Sequence, residues 1–270
     1  MRSPPVLILV LCLFCLFSCS EKGGNLDGKG KQIITIAGST SVLPFTEKLA
    51  EHFMKDNPDY IVDVQGGGST AGIQATLNGT VDIGMSSRKL KEGEDLNQIT
   101  ICYDGIAIIV NPKNPIENLS LREVREIFSG AIKNWREIGW VDRRIDAVTR
   151  EEGSGTRGAF EELVMKGKEI SDAIMVQDSN GSVKEVVATD PYAIGYISLG
   201  IADKRVKIVA IDGVKPTVDL IKVGRYNLVR PFLYLTKGEP DARVRRFIEF
   251  VLSKKGQSLL KSEGLIGAWD

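Results

Sequence analysis

The sequence predicts an α/β fold arranged as two lobes, and three observations carry that expectation. Strands rich in β-branched residues alternate with segments whose apolar residues recur at helical spacing, from Gln32 to the end of the chain. The breaker cluster Asn111-Pro112-Lys113-Asn114-Pro115 and a loop-rich stretch near 212–224 cut the chain into three parts. That division suits a chain that crosses from one lobe to a second and returns. The composition is globular: 270 residues, 43% hydrophobic and 26% charged, enough to fill one large core or two of ordinary size.

The elements follow in order. Gln32–Ala37 is a β-branched strand, and Leu43–Asp56 is a helix with Phe45, Leu49 and Phe53 on one face. Tyr60–Gln65 reads as a strand, Thr70–Asn78 as a helix and Val81–Met85 as a strand. Ile106–Val110 is a wholly apolar strand that runs into the breaker. A second series follows: helix Leu121–Ser129, strand Ile145–Thr149, helix Thr156–Met165, strand Ala173–Val176, helix Val183–Thr189 and strand Ala193–Ile197. Val206–Ile211 and Leu228–Thr236 are further strands, and helices Ala242–Leu252 and Gly256–Ser262 close the chain. Such alternation argues for largely parallel sheets.

Charge and residue counts exclude several classes. Lys and Arg total 35 and Asp and Glu total 35, so there is no basic surplus with which to hold nucleic acid. One histidine, His52, rules out His-rich metal sites and would have to serve any Ser-His-Asp triad. No metal or cofactor is expected.

The first residues form a separate segment. Met1-Arg2 precedes an apolar run from Val6 to Phe17, too short to span a bilayer but suited to a signal-peptide core. Leu16-Phe17-Ser18-Cys19 resembles a lipobox, which implies a signal peptide over 1–18, lipidation of Cys19 and attachment to the cell membrane. Residues 19–31 then read as anchor and flexible tether, and the protein faces the periplasm or the exterior. Cys102 is left as the one cysteine of the mature chain outside the anchor, so no internal disulfide is available. Gly23–Lys29 matches the spacing of a phosphate-binding P-loop, but Gly30 follows instead of Ser or Thr and no strand precedes it.

The informative feature is a junction used three times. Strands end in Gly38-Ser39-Thr40-Ser41, in Gly66-Gly67-Gly68-Ser69-Thr70 and in Arg150-Glu151-Glu152-Gly153-Ser154-Gly155-Thr156, each leading into a helix. Glycine lets the backbone approach a ligand closely, and the first amides of a helix point outward unpaired. Three helix ends at about +0.5 each and one arginine suit a phosphate group of about −1.5 to −2. The alternative is that Ser39, Ser69 and Ser154 are simple N-caps. Gly66–Ala71 also fits a degenerate dinucleotide fingerprint, but the next strand ends in Ser86-Ser87-Arg88 without the ribose-binding acid. Gly67-Gly68-Ser69-Thr70-Ala71 misses the nucleophile elbow by its final Ala.

Taken together, Gly38-Ser39-Thr40-Ser41-Val42-Leu43-Pro44, Gly67–Gly72, Asp82-Ile83-Gly84-Met85-Ser86-Ser87-Arg88 and Arg150–Arg157 resemble the solute-binding proteins of high-affinity phosphate ABC transporters. Ile127-Phe128-Ser129-Gly130 with Asn134-Trp135, Ala193-Ile194-Gly195-Tyr196 and Arg230-Pro231-Phe232-Leu233-Tyr234 extend the resemblance over almost the whole mature chain. It implies two α/β lobes of mixed sheets flanked by helices, with the ligand in the cleft between them. Lobe I would be 32–110 with 224–270, and lobe II 111–223. The implied phosphate ligands are Ser39, Thr40, Ser41, Ser69, Arg150, Ser154, Gly155 and Thr156, with Glu152 as the acid that holds the arginine. Ser87 stands where better-known members carry an aspartate that accepts the proton of HPO4, and Arg88 lies behind it. The implied partners are inorganic phosphate, the membrane subunits of an ABC transporter and the membrane itself, for a monomer without catalytic turnover. Another tetrahedral oxyanion (sulfate, molybdate or tungstate) and, in a different class, an extracytoplasmic serine hydrolase or phosphatase remain as alternatives.

Overall fold

A computed structural model describes residues 30–270. The expectations for the signal peptide, Cys19 and most of the tether lie outside the described residues. Strand β1 (Gln32–Gly38) lies between β2 (Tyr60–Gln65) and β3 (Ile83–Ser86) and runs parallel to both. Its alternation buries Ile34 and Ile36. Helix α1 (Leu43–Asp56) follows β1 and buries Phe45, Leu49 and Phe53 at the predicted spacing, and Pro44 sits in its first turn. Helix α2 (Ser69–Leu77) joins β2 to β3.

The long strand β4 (Asn97–Val110) begins well before the apolar segment that the sequence marks. The apolar run starts only after Asp104-Gly105, but Asp104 is the cross-strand neighbour of Arg230 on β11 (Val229–Thr236), and the pairing carries the strand through. From Ile106 onward β4 pairs instead with β8 (Ala193–Ser198). The chain therefore passes between the lobes inside a continuous strand. Ile106, Ile108 and Val110 already pack in the second core, so β4 enters lobe II ahead of the 110/111 division set by the breaker.

Beyond β4 come β5 (Asn118–Leu119), α3 (Leu121–Phe128), β6 (Asp146–Arg150), α4 (Gly155–Phe160), β7 (Met175–Gln177) and α5 (Asn180–Thr189). A single π turn over Glu161–Met165 replaces the second half of the helix expected at Thr156–Met165. Helix α5 starts earlier than its apolar pattern suggests because Ser179 caps it. The strand expected at Val206–Ile211 divides into β9 (Lys207–Ile208), on β4, and β10 (Ala210–Ile211), on β5. Helix α6 (Val218–Lys222), helices α7 (Ala242–Leu252) and α8 (Lys254–Ser262), and β12 (Ile266–Gly267) complete the chain.

The main sheet has the order β2-β1-β3-β11-β4-β8-β6-β7. Its outer pairings are parallel, as alternation predicts, but β3–β11, β11–β4 and β4–β8 are antiparallel, so the sheet is mixed. Two separate large cores make the two lobes. Phe53, Phe247 and Tyr234 anchor the first; Phe128, Phe160 and Tyr196 anchor the second, with Phe160 stacked on Tyr196 at 3.9 Å.

Candidate functional site

The glycine-hydroxyl turns meet where the two lobes face each other. Gly38 has φ +140°, and a Cβ there would lie 2.3 Å from the Met85 carbonyl oxygen, so only glycine lets the first turn press onto the end of β3. Ser39 Oγ accepts from Ser41 N at 3.3 Å and donates to Ser87 Oγ at 2.9 Å. Ser69, the first residue of α2, accepts from Ser87 N at 3.1 Å, and its Oγ lies 3.4 Å from Ser87 Oγ. Neither serine caps a helix: Val42 and Gly68 hold the N-cap positions of α1 and α2. Ser154 differs, because it is the N-cap of α4 and accepts from Arg157 N at 3.2 Å. The N-cap explanation thus fails at two turns and holds at the third.

Side chains then bond across the lobes. Ser41 Oγ lies 2.8 Å from Thr156 Oγ1. Asn180, at the start of α5 and fully buried, donates to Ser41 Oγ at 2.9 Å, Thr40 Oγ1 at 3.2 Å and Thr156 Oγ1 at 3.4 Å. Gly155 fits only because it lacks a side chain: a Cβ would fall 2.1 Å from Ser69 Oγ and 2.6 Å from Ser87 Oγ. The residues expected from sequence (Ser39, Thr40, Ser41, Ser69, Ser87, Gly155 and Thr156) therefore form one cluster, with Ser154 adjoining it. Among them only Thr40 is partly exposed.

Arg150, at the end of β6, is 1% exposed. Its Nε and Nη2 donate to the two carboxylate oxygens of Glu151 at 3.0 Å each. Nε also meets the Gln177 carbonyl at 3.2 Å, and Nη2 meets the Asp178 carbonyl at 3.0 Å and Thr40 Oγ1 at 3.3 Å. This corrects the expectation for Glu152, which is exposed and makes no bond to Arg150. The chain turns directly after β6, with Ser154 N bonding back to the Glu151 carbonyl at 3.0 Å, so the acid next to the arginine folds onto its guanidinium. Arg88 is bound in its own fork to Glu94, with two bonds of 2.8 Å, and reaches Thr70 Oγ1 at 3.3 Å. That hydrogen bonding holds the Glu94 carboxyl below its ordinary range.

Two further residues escaped the sequence argument besides Asn180. Arg230 donates from Nε and Nη2 to Asp104 Oδ2 at 3.1 and 2.9 Å, and from Nη2 to Ser41 Oγ at 3.1 Å. Asp104 Oδ1 accepts from Ser198 Oγ at 2.9 Å and Gly200 N at 3.4 Å. Burial raises the Asp104 carboxyl against the pull of Arg230, and burial also lowers the guanidinium. Arg230 opens the motif Arg230-Pro231-Phe232-Leu233-Tyr234, yet nothing local in the sequence marks it as part of the cluster. The arrangement offers hydroxyls, amides and guanidinium groups to an anion, and the carboxylates beside it, Glu151 and Asp104, are bound by Arg150 and Arg230. His52 bonds the Lys48 carbonyl of its own helix at 2.9 Å.

A model of the PBP superfamily domain matches residues 25–255. The phosphate-binding protein PstS of Bacillus subtilis (strain 168) is 33% identical over 283 residues, covering 98% of this chain and 94% of that protein. Among solved structures, a substrate-binding protein assigned to phosphate ABC transport in Clostridium perfringens, with bound phosphate, superposes with a TM-score of 0.85 at 40% identity, covering 88% of this chain and 100% of that one. An ABC-type phosphate transport receptor from Vibrio cholerae gives a TM-score of 0.73 at 39% identity, covering 86% of this chain and 99% of that one.

Proposed function

The chain belongs to the periplasmic-binding-protein superfamily and, within it, to the phosphate-binding proteins PstS; from that membership we propose that it captures inorganic phosphate outside the cytoplasm and delivers it to an ABC transporter. It is a solute-binding protein and not an enzyme. The observation that carries the ligand is Arg150, whose Nη1 is buried without a protein partner beside hydroxyls drawn from both lobes. A buried charged donor is costly to leave unmatched, and an oxyanion is its natural partner.

In this reading Ser39, Thr40, Ser41, Ser69, Ser87, Arg150, Ser154, Gly155 and Thr156 surround the phosphate, and Glu151 aims the arginine. Ser154 contributes mainly through the first amides of the helix it caps, at the buried Gly155 and Thr156. Arg88 braces the loop that presents Ser87 by way of Glu94. Lobe I comprises about 32–105 with the C-terminal part from β11 onward and lobe II the residues between, from Ile106 through Leu228, with β4 and β11 as the connection about which they close. Cys19 carries the lipid after removal of 1–18, and the tether holds a monomeric receptor at the membrane beside the transporter.

A second reading, a broader oxyanion receptor, is favoured by one feature. Ser87 receives a hydrogen bond from Ser39 and brings no carboxylate to accept the proton of HPO4. Calorimetric titration of the purified protein with phosphate, sulfate and molybdate separates the two. Binding of phosphate far tighter than sulfate supports the first; equal affinities support the second, and hydrolysis of a phosphomonoester overturns both.

A further inference from the structure

Three buried side-chain polar atoms among the described residues have no hydrogen-bond partner, and two of them are the Nη1 atoms of Arg150 and Arg230. The third, Asn114 Nδ2, lies in the breaker loop. A guanidinium has five N–H groups in a fixed plane. In Arg230 the Nε and Nη2 groups are committed to Asp104 and Ser41, so the two N–H groups of Nη1 are left over inside the protein, at a residue only 2% exposed.

The positions of the two arginines are related. Arg150 touches Thr40 and Arg230 touches Ser41, consecutive residues of the first turn, and Asn180 donates to both hydroxyls. The guanidinium groups are close enough that the charge of Arg150 disfavours that of Arg230. Two buried like charges facing one hydroxyl cluster are stable together when an anion lies between them. Arg230 cannot swing away to relieve the repulsion. Asp104 holds it from one side, Ser198 and Gly200 hold Asp104, and its guanidinium lies 5.3 Å from the centre of the Phe232 ring.

We propose that Arg230 is a second guanidinium ligand of the bound anion, that its Nη1 donates to a phosphate oxygen, and that Asp104 is the residue positioning it. The inference rests on the phosphate-receptor reading and adds a ligand to it. Because Arg230 is on β11 and Asp104 on β4, the anion would be tied to the strands that connect the lobes as well as to both lobes.

The test uses Arg230→Lys, which keeps a cation opposite Asp104 but removes the fork, and the uncharged pair Arg230→Gln with Asp104→Asn. Phosphate affinity is measured calorimetrically for each beside the parent, together with thermal melting without phosphate, and the parent is crystallised with phosphate. Both variants are expected to melt cooperatively and to bind phosphate about ten- to a hundredfold more weakly, the worth of a charged hydrogen bond. The crystals should show Nη1 within hydrogen-bond distance of a phosphate oxygen. Affinity within about threefold of the parent in either folded variant would overturn the proposal, as would an Nη1 turned away from the phosphate. The uncharged pair keeps the question answerable if Arg230→Lys does not fold. A parent that binds no phosphate would instead sink the functional reading beneath it.

Discussion

The arginine and the two acids that follow it give the sharpest quantitative test of the site. Arg150→Ala removes both N–H groups of Nη1, the donors left for the ligand, together with one unit of positive charge. A charged hydrogen bond contributes about 1.5–3 kcal/mol, and the pair shares one anion, so the expected loss is about 2–4 kcal/mol. That is roughly thirty- to sevenhundredfold in affinity. Little should be lost from the fold itself through Glu151, which is about one-third exposed and regains water when its partner goes.

Glu151→Gln should act more gently. The amide oxygen can still accept from Arg150, but its NH2 group faces a donor where the second carboxylate oxygen stood, so one of the two 3.0 Å bonds is lost. The bonds to the Gln177 and Asp178 carbonyls keep the guanidinium in place. Loosened positioning and the gain of uncompensated charge oppose each other, and the net change should stay within about tenfold, or about 1.4 kcal/mol. Glu152→Gln should leave affinity unchanged, because the side chain is exposed and does not touch Arg150. Calorimetry on the three variants in one buffer reads all of this. An affinity loss in Glu152→Gln of more than about threefold, and greater than that in Glu151→Gln, would refute the assignment of the orienting acid.

Gly155→Ala should weaken phosphate binding by a hundredfold or more in the same assay with little change in melting without ligand, because its Cβ would collide with Ser69 and Ser87 across the cleft and hold the lobes apart; near-parental affinity would show that this approach is not needed. Burial raises the Tyr196 phenol to about 12 and raises Tyr226 and Tyr234 as well, so their phenolate absorbance should appear only as the protein unfolds in alkali. The unfolded phenols ionise first, so stability falls as pH rises from about 10 to about 12, by about 3 kcal/mol for Tyr196 alone, and a reversible titration of all six tyrosines near pH 10 in folded protein would contradict it. Cys19→Ala should move the protein from the membrane fraction to the periplasm or medium with phosphate affinity unchanged; continued membrane association would rule out the lipid anchor.

What was legible in the sequence was local. A glycine followed by hydroxyl residues at a strand-to-helix junction marks the backbone approach and the donors within a few residues, and this singled out the turns of Ser39, Ser69 and Ser154 without knowledge of the pairing; Thr156 entered through the family resemblance. The helix face of α1 was equally plain, because apolar spacing alone fixes which side is buried. Three things were hidden, each for a different physical cause. Which of Glu151 and Glu152 meets Arg150 depends on the direction in which the chain leaves β6, and adjacent residues on a turn differ in that and in little else. Asn180 reads as an ordinary residue at a helix start, and its role appears only when α5 faces the first turn across the cleft.

The Asp104–Arg230 pair spans 126 residues and exists only in the antiparallel register of β4 against β11. Alternation of strands and helices carries no information about that register, because it predicts parallel neighbours, and the connecting strands depart from that rule. The same departure brings a charged pair to the point where the chain passes between lobes. An apolar pair of similar volume would cost less to bury there. The free face of the guanidinium adjoins the hydroxyl cluster that the glycine turns build, and the proposed donation from it to the anion would offset the cost of keeping Asp104 and Arg230 at full burial.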